Sequence, residues 1–140
     1  MAADIPFTHL YRVLRSDEDP TAGITAKSPS SSLSVSDHVG CGAYSTKYIS
    51  TCATESSARR FASLGIMHQS CSKKIITINV GILKLANPGV IFINLTDKFT
   101  LDFHIPDIFS RGRQWAVDWD EVLIIGTIPP SCITKVDEMP

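Results

Sequence analysis

The chain is predicted to fold as an α+β domain dominated by antiparallel strands. Three observations carry that prediction: short β-branched runs recur along the 140 residues, only one segment has clear helical spacing, and turn-forming residues part the runs from one another. A chain of this length fits one domain, residues 1–140, and neither an internal repeat nor a break in composition divides it. Hydrophobic residues make up 44% and charged residues 19%, a balance that leaves too much to bury for a disordered chain.

The first strand is expected over Thr8–Leu14, where Leu10, Tyr11 and Val13 lie among polar neighbours, and Asp17-Glu18-Asp19-Pro20 closes it. From Pro20 to Gly42 the composition reads mostly as loop, with a helical turn near Ser36–Val39; a connection longer than about 12 to 15 residues is usually functional. Lys47–Thr51 is a second short strand. After Thr54, Ala58, Phe61, Ala62 and Leu64 fall at helical spacing behind a hydroxyl cap, and Gly65 suits the helix end. Lys74–Val80 alternates as a strand, and Val90–Leu95 and Phe99–Phe103 are shorter strand-like runs. Glu121–Ile128 is the most apolar strand, stopped by Pro129-Pro130.

Thirteen Lys and Arg against fourteen Asp and Glu give a net charge of −1, which argues against a broad phosphate-neutralising face. No apolar run approaches the roughly 20 residues that span a bilayer, and Met1–Tyr11 lacks the build of a signal peptide. A cytoplasmic location and no membrane partner are therefore expected of the chain as it stands, with export by another route left open. Cys41, Cys52, Cys71 and Cys132 are widely spaced, so neither a metal site nor a redox motif is signalled and free thiols are expected. The sequon Asn94-Leu95-Thr96 reads as chance.

Several polar residues stand out: Arg12 inside the first strand, Ser50-Thr51 ending the second, Glu121 opening the last, and Asp37-His38 in the long connection. Singly, each has an ordinary structural reading as a solvated charge, a cap or a loop group. Together they offer a cation, a hydroxyl and a carboxylate on separate short strands, the kit for a phosphate-bearing substrate and acid/base or electrostatic chemistry.

The order Tyr11-Arg12, then Tyr48-Ile49-Ser50-Thr51-Cys52, then Glu121 followed by VLIIGTIPPSCI resembles the Arg, Ser-Thr-Ser and Glu signature of ADP-ribosyltransferases of the cholera and pertussis toxin type. Within that class the similarity is greatest to the pertussis toxin catalytic chain and the pierisin-like group. It spans roughly residues 9–136, with no matching motif between Lys84 and Trp115. The resemblance implies a split β-sandwich of two mainly antiparallel sheets with few helices, and NAD as co-substrate with no metal. It also implies a macromolecular acceptor, either a protein side chain or a nucleic-acid base.

The same resemblance implies a catalytic set of Glu121, Ser50, Arg12 and His38. Tyr11, Arg12, Val13, Tyr48, Ser50 and Thr51 would line the NAD site, and Arg12 would hold its phosphate bidentately. Ser50 would orient the arginine and the carboxylate, and His38 would lie near the ribose or the nucleophile, able to take a proton near neutral pH. Glu121 would bind the ribose 2′-hydroxyl and stabilise the developing oxocarbenium charge.

One departure stands out: arginine-modifying members carry Glu, and guanine-modifying members Gln, two residues before the catalytic glutamate, where this chain has Trp119. Trp115, Trp119 and Arg113, in what reads as a loop over Arg111–Asp120, are the candidate acceptor-recognition residues. Water as acceptor, giving an NAD glycohydrolase, and a catalytically silent nucleotide- or protein-binding module are the alternative functions.

Overall fold

A computed structural model describes residues 5–40, 45–64 and 71–139. Strand β1 (His9–Arg15) is followed by a 3-10 turn at Pro20–Ala22, helix α1 (Val35–Gly40), β2 (Tyr48–Cys52) and α2 (Glu55–Ser63). Then come β3 (Cys71–Asn79), α3 (Val80–Ala86), β4 (Ile91–Asn94), α4 (Lys98–His104), α5 (Arg111–Asp118), β5 (Glu121–Ile125) and β6 (Ile133–Glu138). The predicted α+β, mainly antiparallel class is what is found.

The strands form one hydrogen-bonded sheet in the order β4-β5-β2-β1-β3-β6, every pairing antiparallel. The split implied by the family resemblance takes the form of two three-stranded halves rather than two separate sheets. β2 and β5 are in register over five residue pairs, β1 and β3 over five with a sixth beyond a register shift, whereas β1 and β2 share the single pair Tyr11↔Cys52. Beyond that pair the two strands part, and the polar residues gather along this seam.

Side chains alternate across the sheet. Leu10, Leu14, Ile49, Ile76, Ile78, Val122 and Ile124 form the main core on one face. Val13, Cys52 and Ile75 face the other way, beneath Ala58 and Ala62 of α2. A third cluster joins α1, α4 and α5 to β4 and β5 through Val39, Ile93, Leu101, Ala116 and Leu123.

Where the structure departs from the sequence reading, local capping explains most of the difference. Phe99–Phe103 is helical, not a strand: the Asp97 carboxylate accepts the Thr100 N–H at 3.0 Å, and Lys98 pairs with Asp102 one turn on at 2.8 Å. Arg111–Asp118 is helix α5, not a loop, because Ser110 caps it and its small residues Gly112 and Ala116 are buried. A Cβ on Gly112 would come within 2.9 Å of Gly40, so glycine permits the close approach of α5 to α1.

Asn79 caps α3, which the β-branched run leading into it concealed. Five α-helices thus stand among the described residues, where one was expected. β5 stops at Ile125 rather than Ile128, since Gly126 turns the chain with φ 128°. Ile128 then bridges Ile24 of the long connection, and β6, which the sequence reading passed over, pairs with β3. Gly65, expected to end α2, lies outside the described residues. Cys52 and Cys132 are buried free thiols, and burial pushes the Cys52 thiol up to about 12, leaving it protonated and inert.

Candidate active site

The seam begins with β1. Arg12 sits between Leu10 and Leu14 and pairs with Ile76, so its stem belongs to the main-core face. Its guanidinium reaches across to β2, where Nη1 donates to the Ser50 carbonyl oxygen at 2.7 Å. Nη2 donates to both carboxylate oxygens of Glu18 at 3.1 Å, and both side chains are almost fully buried.

Glu18 arrives there through a tight turn in which the Glu18 N–H donates to the Arg15 carbonyl, while its carboxylate accepts the Arg15 N–H at 2.8 Å. Of the three acidic residues that close the first strand, Glu18 alone turns inward; Asp17 and Asp19 are exposed. Arg12 Nε is buried and has no hydrogen-bond partner among the described residues.

Helix α1 carries His38 to the same place. Reciprocal bonds between Ser34 and Asp37, at 3.0 and 3.1 Å, close a capping box that starts the helix, which gives Asp37 a structural task. His38 then bonds Thr46 Oγ1 through Nδ1 at 2.5 Å and Ser50 Oγ through Nε2 at 2.7 Å.

Glu121 completes the set. It pairs with Cys52 at the start of β5, which puts it on the same face as Ser50, two residues away along β2. The Ser50 hydroxyl hydrogen-bonds its carboxyl, and that bond and the charge of Arg12 both favour ionisation; burial outweighs them and raises the carboxyl to about 7.

Neutral His38 donates through one ring nitrogen and accepts at the other, so it links the Thr46 and Ser50 hydroxyls, and Thr46 Oγ1 also accepts the Tyr48 N–H at 3.3 Å. Thr46, His38, Ser50 and Glu121 form one connected polar chain ending at the carboxyl. Burial, with a smaller push from Arg12, drives His38 down to about 4. It is neutral at physiological pH and too weak a base to take a proton there, so its place in the chain is to hold Ser50.

The four expected catalytic residues are therefore joined through Ser50, each delivered by a different element: Arg12 reaches its carbonyl from the main-core face, while His38 and Glu121 reach its hydroxyl on the other. The wider NAD-lining set does not all face one space. Thr51 pairs with Val122 on the opposite face from Ser50, is 1% exposed, and donates its hydroxyl to the Val122 carbonyl at 2.6 Å. Val13 is buried beneath α2. Both are packing residues, as the period-two alternation of a strand requires of neighbours to site residues. Tyr48 lies edge-on to the His38 ring at 5.5 Å between centroids, and Tyr11 packs beside Cys52. Arg12, nearly enclosed, commits Nη1 to the Ser50 carbonyl and Nη2 to Glu18 instead of presenting them to a phosphate. Glu18 and Thr46 were missed in the sequence, where an acidic turn and a loop hydroxyl have no periodicity to mark them.

The segment before Glu121 is built rather than free. Arg113 is committed to Asp102 at 2.6 Å and to the Ile105 carbonyl at 2.8 Å, so it braces α4 against α5. Trp119 ends α5 and packs edge-to-face on Phe61, with the Arg60 guanidinium 5.2 Å from its ring. Asp120 follows with φ 48°, and its carboxylate accepts from Ser57 and Thr54 at the start of α2.

Trp115 stays 38% exposed on α5, next to Arg111. Nearby, Phe99, Phe103 and Phe109 are 87%, 79% and 90% exposed. Trp119→Ala is expected to lower stability by about 2 to 4 kcal/mol, through loss of a half-buried ring and its contacts. Trp115→Ala should stay within about 1 kcal/mol of the parent. Denaturant midpoints of the two variants check this, and equal losses would contradict it.

The fold defined by these elements is an α+β domain with its polar cluster on the seam of an antiparallel sheet. No protein-family model and no curated protein matches the chain. Among solved structures it is similar to the chain named EcPltA, with a TM-score of 0.61 at 15% sequence identity, covering 96% of this chain and 84% of that one. At that identity the likeness speaks for the fold. No described helix is long and apolar enough to cross a membrane, and no group of His, Cys, Asp or Glu among the described residues is arranged to hold a metal ion.

Proposed function

We propose that this chain is an NAD-dependent mono-ADP-ribosyltransferase, which cleaves the nicotinamide–ribose bond and passes ADP-ribose to a macromolecular acceptor. The observation that carries the reading is the hydrogen-bonded convergence of Arg12, His38, Ser50 and Glu121 on one seam. It supports the reading because each group has work to do in that reaction. Breaking the bond sends its electron pair to the nicotinamide, which leaves neutral, and positive charge develops on the ribose. An ionised Glu121 would accept a hydrogen bond from the ribose 2′-hydroxyl and stabilise that charge, the kind of electrostatic effect that usually dominates such barriers. Ser50, held by His38, would fix the carboxylate, and Arg12 would bias it toward ionisation.

Hydrolysis, with water as acceptor, is the second reading. It is favoured by Trp119, which is packed on Phe61 where arginine-modifying enzymes carry a second carboxylate. Incubation with NAD, with and without protein or nucleic acid, tests both readings: nicotinamide release that requires an acceptor supports transfer, release without one supports hydrolysis, and no release rejects both.

The raised Glu121 carboxyl sets the expected pH dependence. The reactive form is ionised, and its proton leaves near about 7. The kcat/KM for NAD should therefore rise roughly tenfold from about pH 6 to about pH 8, since that ratio reports groups of the free enzyme. A profile that is flat over this range, or falls, would remove Glu121 from the step.

A further inference from the structure

The buried turn after β1 carries a carboxylate that none of the chemistry above uses. Glu18 meets Arg12 with both oxygens, and its side chain is only 6% exposed although it belongs to an acidic turn whose other members face water. One of its oxygens also accepts the Arg15 N–H and the other lies 3.6 Å from the Arg15 guanidinium, so the carboxylate is anchored to the backbone of β1 and to a second cation as well as to Arg12. Arg12 in turn touches Ser50 through the main chain, at the carbonyl of the residue whose hydroxyl serves Glu121. The path from Glu18 to the reactive carboxyl is thus three contacts long, crosses the seam once, and has a charged hydrogen bond at its first step.

From this arrangement we infer that Glu18 is a positioning residue of the active site: it holds the Arg12 guanidinium at the angle that fixes the Ser50 end of β2, and through it the carboxylate of Glu121. The inference rests on the NAD-cleaving reading for its kinetic consequences but not for its structural ones. Two features make the role more than general stability. The seam has a single register pair, so the backbone ladder does not set the position of Ser50 relative to β1 and a side chain has to. A planar guanidinium held at Nη2 by both carboxylate oxygens also has its Nη1 aimed at the Ser50 carbonyl, which a lone charge would not achieve.

The test uses the full chain and three variants. Glu18→Asp keeps the charge but shortens the reach by one methylene, Glu18→Gln keeps the reach but removes the charge, and Asp19→Asn alters an exposed neighbour that bonds Thr21 and not Glu18 or its cations, as a control. Steady-state NAD cleavage is expected to show kcat reduced about tenfold in Glu18→Asp and about a hundredfold in Glu18→Gln, as a misplacement of about 1 Å at the reacting groups produces. KM should change little, and Asp19→Asn should match the parent.

If Glu18→Gln does not fold, Glu18→Asp with a retained melting temperature decides alone. Parental kcat in the folded variants, or a change in KM only, would overturn the inference. Proton and nitrogen spectra provide a readout that needs no turnover: the His38 ring and Ser50 amide resonances should move in Glu18→Asp and stay in place in Asp19→Asn. A parent without NAD cleavage would defeat the proposed function and leave these spectra to decide, with unmoved His38 and Ser50 signals in Glu18→Asp counting against the positioning role.

Discussion

Glu121→Gln is expected to fold like the parent and to lose about 10² to 10³ of its nicotinamide-release rate, the usual consequence of removing one preorganised electrostatic contact to a transition state. The structure sharpens what else should happen. Burial raises the Glu121 carboxyl to about 7, so above that pH the native chain holds an ionised group that its surroundings disfavour. A neutral amide of the same shape removes that cost. At about pH 8 the variant should be as stable as the parent or slightly more so, while the reaction nearly stops. Melting temperature and nicotinamide release measured on one preparation separate the two effects. A variant that keeps parental turnover would show that the carboxylate is not the stabilising group, and one that loses turnover only by unfolding would leave Glu121 a structural residue.

The largest stability effect is expected at Arg12. Arg12→Ala leaves the Glu18 carboxylate, 6% exposed, with the Arg15 guanidinium at 3.6 Å as its remaining cation and removes the donor to the Ser50 carbonyl. Breaking a buried ion pair on one side typically costs about 3 to 5 kcal/mol, and the remaining Arg15 contact sets the expected loss at the low end, which for a chain of this size lowers the melting temperature by about 10 °C. Arg12→Ala combined with Glu18→Ala should recover part of that loss, since the buried charge is gone, and the cycle of four proteins measures the coupling directly. Simple addition of the two single losses would mean that the pair is not acting as a unit. Nicotinamide release should be absent in Arg12→Ala and should not return in the double variant, because stability and positioning are recovered by different contacts.

How much of this was legible in the sequence follows from the kind of signal each residue leaves. The strands around Leu10 and Ile76 were readable because apolar residues at period two have one common cause, burial of a face, and that around Val122 because an unbroken apolar run is buried on both faces. Helix α2 was readable from its Thr54 cap and its Ala58 and Ala62 spacing, and both hold in the structure. Phe99–Phe103 misled because aromatic side chains suggest a strand, while the deciding element was Asp97, one polar cap ahead of a run with a single buried residue, Leu101. For α5 the sign lay in small residues four apart, Gly112 and Ala116, which a hydrophobic pattern does not register.

The site divides in the same way. Arg12, Ser50, His38 and Glu121 stood out because polar groups in apolar surroundings are conspicuous. Thr51 and Val13 were drawn in by adjacency to them, and the pleat turns such neighbours away or under a helix. Glu18 and Thr46 left no mark, because a partner supplied by a turn depends on where the chain comes back, and that is a property of the folded molecule.

The single residue pair between β1 and β2 has a mechanical consequence. A sheet knitted along its full width behaves as a plate, whereas this one behaves as two leaves sharing a short hinge, with Tyr11 and Cys52 as the pin. Beside the pin the Arg12 guanidinium ties the leaves by its bond to the Ser50 carbonyl, while the main core and helix α2 pack across both. A substitution at Arg12 therefore loosens the joint beside the pin without touching the ladders inside either leaf.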